Sequence, residues 1–138
     1  MSRDGYVAYY NNFKCPGVTH LGDNRDGVGE GDDERIEVDF SAIPDNIACL
    51  TVVVSIHDGD KRKQNFGQVT NAYAHICYLD ENVGTTDVVI RYDLMGDFST
   101  ATSLFVCEIY KHNGEWKVVA LGGGSNERFE GVCAVFGL

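Results

Sequence analysis

The chain has 138 residues, 43% of them apolar, which is enough for a domain with a hydrophobic core and too apolar for a disordered polymer. Its net charge is −10. That charge repels phosphate backbones and anionic lipid, so nucleic acid is excluded as a direct partner, and it suits cations instead.

The start, "MSRDGYVAYY", lacks the apolar run and small-residue cleavage site of a signal peptide. The longest strongly apolar stretch, "IACLTVVVSI", is too short to cross a bilayer, so no transmembrane segment is expected. The five cysteines (Cys15, Cys49, Cys77, Cys107, Cys133) are odd in number, scattered and form no CxxC pair. They read as small buried hydrophobes in a reducing compartment rather than as a disulfide framework.

Taken in chain order, "GYVAYYNN" (5–12) reads as a first strand, and an acidic, glycine-rich segment follows at 22–34. "RIEVDF" (35–40) alternates, with Ile36, Val38 and Phe40 on one face and Arg35, Glu37 and Asp39 on the other, the pattern of a half-buried strand. "CLTVVVSIH" (49–57) is β-branched and nearly all apolar, as expected of a central strand. "NAYAHICYL" (71–79) and "DVVIRYDL" (87–94) flank a turn-rich segment and read as a hairpin. "SLFVCEIYKH" (103–112) and "EWKVVAL" (115–121) flank "HNGE", and Asn-Gly is the strongest short hairpin signal. Phe129, Val132, Cys133 and Phe136 recur at helical spacing and predict a short amphipathic helix or turn, with Asn126 as its cap. Many strands at hairpin spacing with little helix predict an all-β fold, an antiparallel β-sandwich with a short C-terminal helix or turn.

The segment "GDNRDGVGEGDDE", Gly22 to Glu34, concentrates the charge. It holds six carboxylates (Asp23, Asp26, Glu30, Asp32, Asp33, Glu34) against Arg25 alone, about half of the net charge of the whole chain. Crowded carboxylates repel, and desolvating any of them is costly without a neutralising partner. Two outcomes relieve this: the segment stays solvated and splayed, or it wraps a cation. The donors are all oxygen, from Asp, Glu, the Asn24 amide and backbone carbonyls. Hard oxygen donors in a flexible frame suit Ca²⁺, whereas Mg²⁺ wants a tighter octahedron and Zn²⁺ wants His and Cys. The pattern is not an EF-hand, since Arg25 and Gly27 fall where that loop needs acids.

Other constellations are weaker. His57, His75 and His112 lie on separate predicted segments, and the spacing of His75 and Cys77 is a zinc hint without a second pair. There is no GxSxG to anchor a Ser/His/Asp triad, and "LGGGSN" (121–126) lacks the GxGxxG that would frame a phosphate cradle. Trp116 and Tyr110, on predicted strands, read as packing residues.

In order along the chain, "GDNRDGVGEGDDERIEVDFSAIP", "IHDGDKRKQNFGQVTNAY" and "RYDLMGDFSTATSLFVCEIYKHNGEWKVVALG" carry a resemblance. The sequence is similar to the TerD family of tellurium-resistance and stress-response proteins, from Tyr6 to about Gly124. The resemblance implies a calcium-binding β-sandwich, not an enzyme, cytoplasmic or peripheral at the inner membrane. Its implied partners are calcium ions and other stress-response proteins. Residue by residue, it implies Ca²⁺ ligands at Asp23, Asn24, Asp32, Asp33 and Glu34, in a loop shaped by Gly22, Gly27, Gly29 and Gly31. Asp26 and Glu30 fall at positions that look variable in the family. Asp58, in the second motif, is added as a donor from a neighbouring loop, whereas Asp60 reads as a solvated turn acid.

The sequence departs from the family in three places. The family's members begin well upstream with further strands and a second acidic motif. Residues 1–138 are therefore expected to form a single domain of this type lacking N-terminal strands. The unpaired sheet edge this leaves would be open to self-association. In "DFSTAT" Ala101 stands where an acid is usual, and the closing "GGGSNERFEGVCAVFGL" keeps little but its glycines. The alternative function is calcium-bridged binding of a small anionic ligand such as a cyclic nucleotide, because an acidic surface attracts phosphate only through a bound metal.

Overall fold

The computed structural model describes residues 6–23, 33–80, 85–94, 98–127 and 129–136. Its strands are β1 (Lys14–Cys15), β2 (Val18–Asp23), β3 (Glu34–Val38), β4 (Cys49–Ser55), β5 (Tyr73–Asp80), β6 (Thr85–Asp93), β7 (Ser103–His112) and β8 (Glu115–Ser125). A one-turn helix α1 (Gly59–Arg62) and a 3-10 turn at Phe66–Gln68 follow β4, and the helix α2 (Phe129–Val135) follows β8. The strands form three sheets, ordered β1-β2-β3, β4-β7-β8 and β5-β6. The all-β class expected from the pattern is the fold observed.

The chain forms two compact units. The first is drawn from 1–52, 107–120 and 132–138 and holds the sheet β1-β2-β3. Its hairpin β1–β2 turns on Pro16-Gly17, with Cys15 opposite Val18. Gly17 has a φ of 74°, the left-handed value that the second central residue of such a turn requires. A Cβ there would lie 2.5 Å from Ile43 Cγ1 and 2.9 Å from the Asp39 carbonyl oxygen, so glycine is required for space as well. β2 then pairs antiparallel with β3 through Val18↔Val38, Thr19↔Glu37 and His20↔Ile36.

β3 stops at Val38, two residues before the expected end. The Asp39 carboxylate accepts the Ser41 hydroxyl at 2.6 Å and the Ser41 N–H at 2.9 Å, a local turn that competes with strand continuation. Those bonds hold the exposed Asp39 carboxyl below the usual carboxylate range. Their contribution is therefore present above that range and disappears as pH falls through the lowered value. Phe40, released from the strand, stacks on Trp116 with ring centroids 5.2 Å apart, and Lys111 Nζ sits 5.7 Å from the same indole. The buried residues of this unit include Ile43, Ile47, Leu50, Cys107, Ile109 and Val132.

The second unit, from 53–106 and 121–131, holds the hairpin β5–β6, which pairs antiparallel from Tyr73↔Asp93 to Asp80↔Thr85 with a bulge at Ile76/Cys77. Its buried apolar residues include Leu94, Ala101, Leu104, Val106 and Phe66. The Ser103 hydroxyl, 1% exposed, donates to the Glu127 carbonyl at 3.1 Å and bonds the Ser55 hydroxyl.

The sheet β4-β7-β8 is antiparallel. Lys111 N–H donates to the Ala48 carbonyl near one end of β4, and Ile56 N–H to the Thr102 carbonyl near the other. β7 and β8 join through Asn113 and Gly114, both at positive φ (52° and 83°), as a two-residue turn of that type needs. The reading of 49–57 as a central strand is corrected: among the described residues β4 lies at one end of its sheet, and β7, with Leu104, Val106, Cys107 and Ile109 buried, is central.

Three further expectations change. Residues 6–12 form no strand; Tyr9 and Asn12 exchange backbone bonds of 2.8 and 2.9 Å across a tight turn, and Asn12 Nδ2 donates to the Val7 carbonyl. β8 runs on to Ser125, so the glycines of "LGGGSN" belong to a strand. A Cβ on Gly124 would press to 3.1 Å on both Phe98 and Ala101, a close approach that glycine permits. α2 arises where the apolar spacing placed it, with Val132 1% exposed, but Asn126 lies three residues ahead of its first residue rather than beside it.

Candidate functional site

The acidic segment opens and closes on the β2–β3 pair. Asp23, the last residue of β2, is the register partner of Glu34, the first residue of β3. The two ends of the carboxylate-rich stretch are therefore adjacent strand positions. Asp33 is exposed and leads into β3 through a bend. Asn24 and Asp32 lie outside the described residues, as do Asp26 and Glu30.

Between His20↔Ile36 and Asp23↔Glu34 the register shifts. Leu21 and Gly22 stand opposite Arg35 alone, a bulge with Gly22 at a φ of 139°. The ring of His20 sits against this bulge. Its side chain is only 7% exposed, Nδ1 accepts the Gly22 N–H at 3.2 Å, and Nε2 lies 3.9 Å from Glu34 Oε2. Phe13 meets the imidazole edge-on at 5.7 Å between ring centroids. His20 was not among the residues singled out from sequence. The only signal for it in "VTHLGD" is its place two residues before the glycine that opens the acidic run.

Asp58 belongs to the second unit. It has a φ of 50°, precedes α1, and its carboxylate meets Lys61 Nζ at 3.0 Å and His57 Nε2 at 3.8 Å. Exposed pairs of this kind contribute about 0–1 kcal/mol. Among the described residues, no three or more His, Cys, Asp and Glu side chains gather in a metal-holding group.

The zinc hint at His75 and Cys77 dissolves for the same reason. His75 packs against Tyr73, with ring centroids 4.6 Å apart, and its Nε2 lies 3.5 Å from Arg91 Nη1. Arg91 stacks over the Tyr73 ring at 4.2 Å and pairs with Asp93 at 2.9 Å. These side chains form a cluster on one face of β5–β6.

None of the five cysteines is in a disulfide. Burial pushes the thiols of Cys15, Cys49 and Cys107 up, and Glu108 adds to the effect at Cys49. Cys77 departs from the buried expectation and is exposed on β5. A thiol reagent on the native protein is expected to label Cys77 first and leave Cys107 unmodified until denaturant is added, as read by intact-mass spectrometry. Cys77→Ser should remove the fast-reacting equivalent; equal labelling of Cys107 in the native protein would contradict this placement.

Among the described residues no helix is long and apolar enough to cross a membrane. The TerD domain profile matches residues 1–136. The chain is 48% identical to uncharacterized protein YceE of Bacillus subtilis over 132 residues, which is 94% of this chain and 67% of that protein. It is 45% identical to chemical-damaging agent resistance protein B of Clostridium acetobutylicum, covering 94% of this chain and 92% of that protein. It is 41% identical to tellurium resistance protein TerD of Serratia marcescens over 137 residues, covering 98% of this chain and 69% of that protein.

Proposed function

The chain belongs to the TerD domain family of tellurium-resistance and stress-response proteins, and from that premise we propose that it is a non-enzymatic calcium-binding protein whose site is the acidic segment at 23–34. Asp23, Asn24, Asp32, Asp33 and Glu34 would hold the ion. One observation carries the reading: Asp23 and Glu34 are strand partners, so both ends of an oxygen-only donor run start from adjacent backbone positions. A cation there supplies charge neutralisation. In its absence the crowded carboxylates oppose closure of the segment. We place Asp58 outside this ligand set, because its carboxylate pairs with Lys61 Nζ at 3.0 Å. The absence of disulfides among the cysteines suits a cytoplasmic setting.

Calorimetric titration of the chelator-treated protein with calcium tests this. A saturable heat is expected, lost in Asp32→Asn with Asp33→Asn and retained in Asp58→Asn. No heat from the parent protein overturns the calcium reading.

A further inference from the structure

We propose that His20 is the positioning residue of this site: its neutral ring clamps the bulge before the acidic segment and presents a donor to Glu34. The inference rests on the calcium reading for its purpose, but its geometry stands independently. A ring nitrogen that accepts a backbone N–H carries no proton of its own, so the Gly22 N–H on Nδ1 fixes the neutral ring as the Nε2–H tautomer. Nε2 is the atom that faces Glu34 Oε2 at 3.9 Å, longer than a direct hydrogen bond. A rotation of the exposed Glu34 side chain would close that gap. The imidazole cannot follow it, being nine-tenths buried, edge-packed by Phe13 and tied at its other nitrogen.

The same ring therefore does two things. Through Nδ1 it holds the Leu21–Gly22 bulge, which sets where Asp23 emerges from β2. Through Nε2 it presents a donor toward the carboxylate of Glu34, the strand partner of Asp23. Carboxylates that ligate metals are commonly held by a second group that orients them, and loss of such a group costs about 10–100-fold in metal affinity.

Two substitutions separate the two contacts. In His20→Asn the amide oxygen stands near the position of Nδ1 and retains the acceptor for Gly22, but no donor reaches Glu34. In His20→Gln the amide nitrogen reaches toward the position of Nε2 and retains that donor. Calorimetry on the full chain is expected to show calcium affinity reduced about tenfold in His20→Asn and about threefold or less in His20→Gln. Parent-like affinity in His20→Asn, or equal losses in both variants, overturns the assignment. A parent protein that takes up no calcium overturns the calcium reading, and this role with it. If neither variant folds, the ring-nitrogen shifts of ¹⁵N-histidine-labelled parent protein decide. The Nε2–H tautomer is expected, with Nε2 shifting on calcium addition; an Nδ1–H tautomer, or no shift at Nε2, overturns the assignment.

Discussion

Replacing Gly17 by alanine is expected to destabilise the protein by about 3 kcal/mol, among the larger costs of a single methyl group. Two effects add. An L-residue at a φ of 74° loses about 1–2 kcal/mol relative to glycine. The new Cβ would also lie 2.5 Å from Ile43 Cγ1, 2.8 Å from the Ile43 nitrogen and 2.9 Å from the Asp39 carbonyl oxygen. Two of those three atoms are backbone, and Ile43 is buried, so relief requires moving the chain rather than turning a side chain. Forced overpacking of that kind costs about 1–3 kcal/mol.

Gly114→Ala is the control. That residue has a φ of 83° but nothing within 4 Å of an added Cβ, so only the conformational cost of about 1 kcal/mol is expected. Urea unfolding of both variants measures the difference. A midpoint for Gly17→Ala no lower than for Gly114→Ala would contradict the packing described around the β1–β2 turn. Because Asp39 N–H donates to the Gly17 carbonyl at 2.8 Å, the same change should loosen the end of β3, the strand that begins at Glu34.

Calcium at about a hundred times its dissociation constant is expected to raise the melting temperature by about 10 °C over the chelated protein. A ligand that binds only the folded state stabilises it by about 2.7 kcal/mol at that excess. For a chain of this size each kcal/mol moves the melting point by about 3–5 °C. Asp32→Asn with Asp33→Asn is expected to abolish the rise. The sign in chelator is equally informative. Without a cation, the double variant relieves repulsion among crowded carboxylates, so its melting temperature should equal or exceed that of the chelated parent. A double variant that melts lower than the parent in chelator would mean these carboxylates make stabilising bonds within the protein instead of waiting for an ion.

Much of the fold was legible where local chemistry and burial agree. β7 occupies the residues its pattern indicated, because Asn113-Gly114 sets the turn of its hairpin and Leu104, Val106, Cys107 and Ile109 are buried. α2 forms where the apolar spacing placed it and buries Val132. β2 was not legible. "VTHLGD" is short, carries a glycine in a bulge and ends in a charge, so neither period nor propensity marks it. The segment at 6–12 misled in the opposite direction. Its aromatic residues favour a strand, but Asn11 and Asn12 favour the turn that the Tyr9–Asn12 bonds close. β8 was cut short at Leu121 because glycines usually end strands; here Gly124 runs against Phe98 and Ala101.

The candidate site divides in the same way. Its carboxylates were conspicuous because like charge at that density needs a reason. His20 was not, because a lone histidine on a strand looks like any half-buried polar residue. Only the pairing of Asp23 with Glu34 puts its ring beside the acidic segment.

The acidic segment between β2 and β3 is proposed as the place where calcium binds. Backbone amide spectra of the ¹⁵N-labelled full chain, recorded through a calcium titration, test it directly. Saturable shifts concentrated in residues 22–34 are expected, with a smaller response at His20 and little at Asp58. Shifts that centre elsewhere, or an unchanged spectrum at millimolar calcium, would contradict this placement.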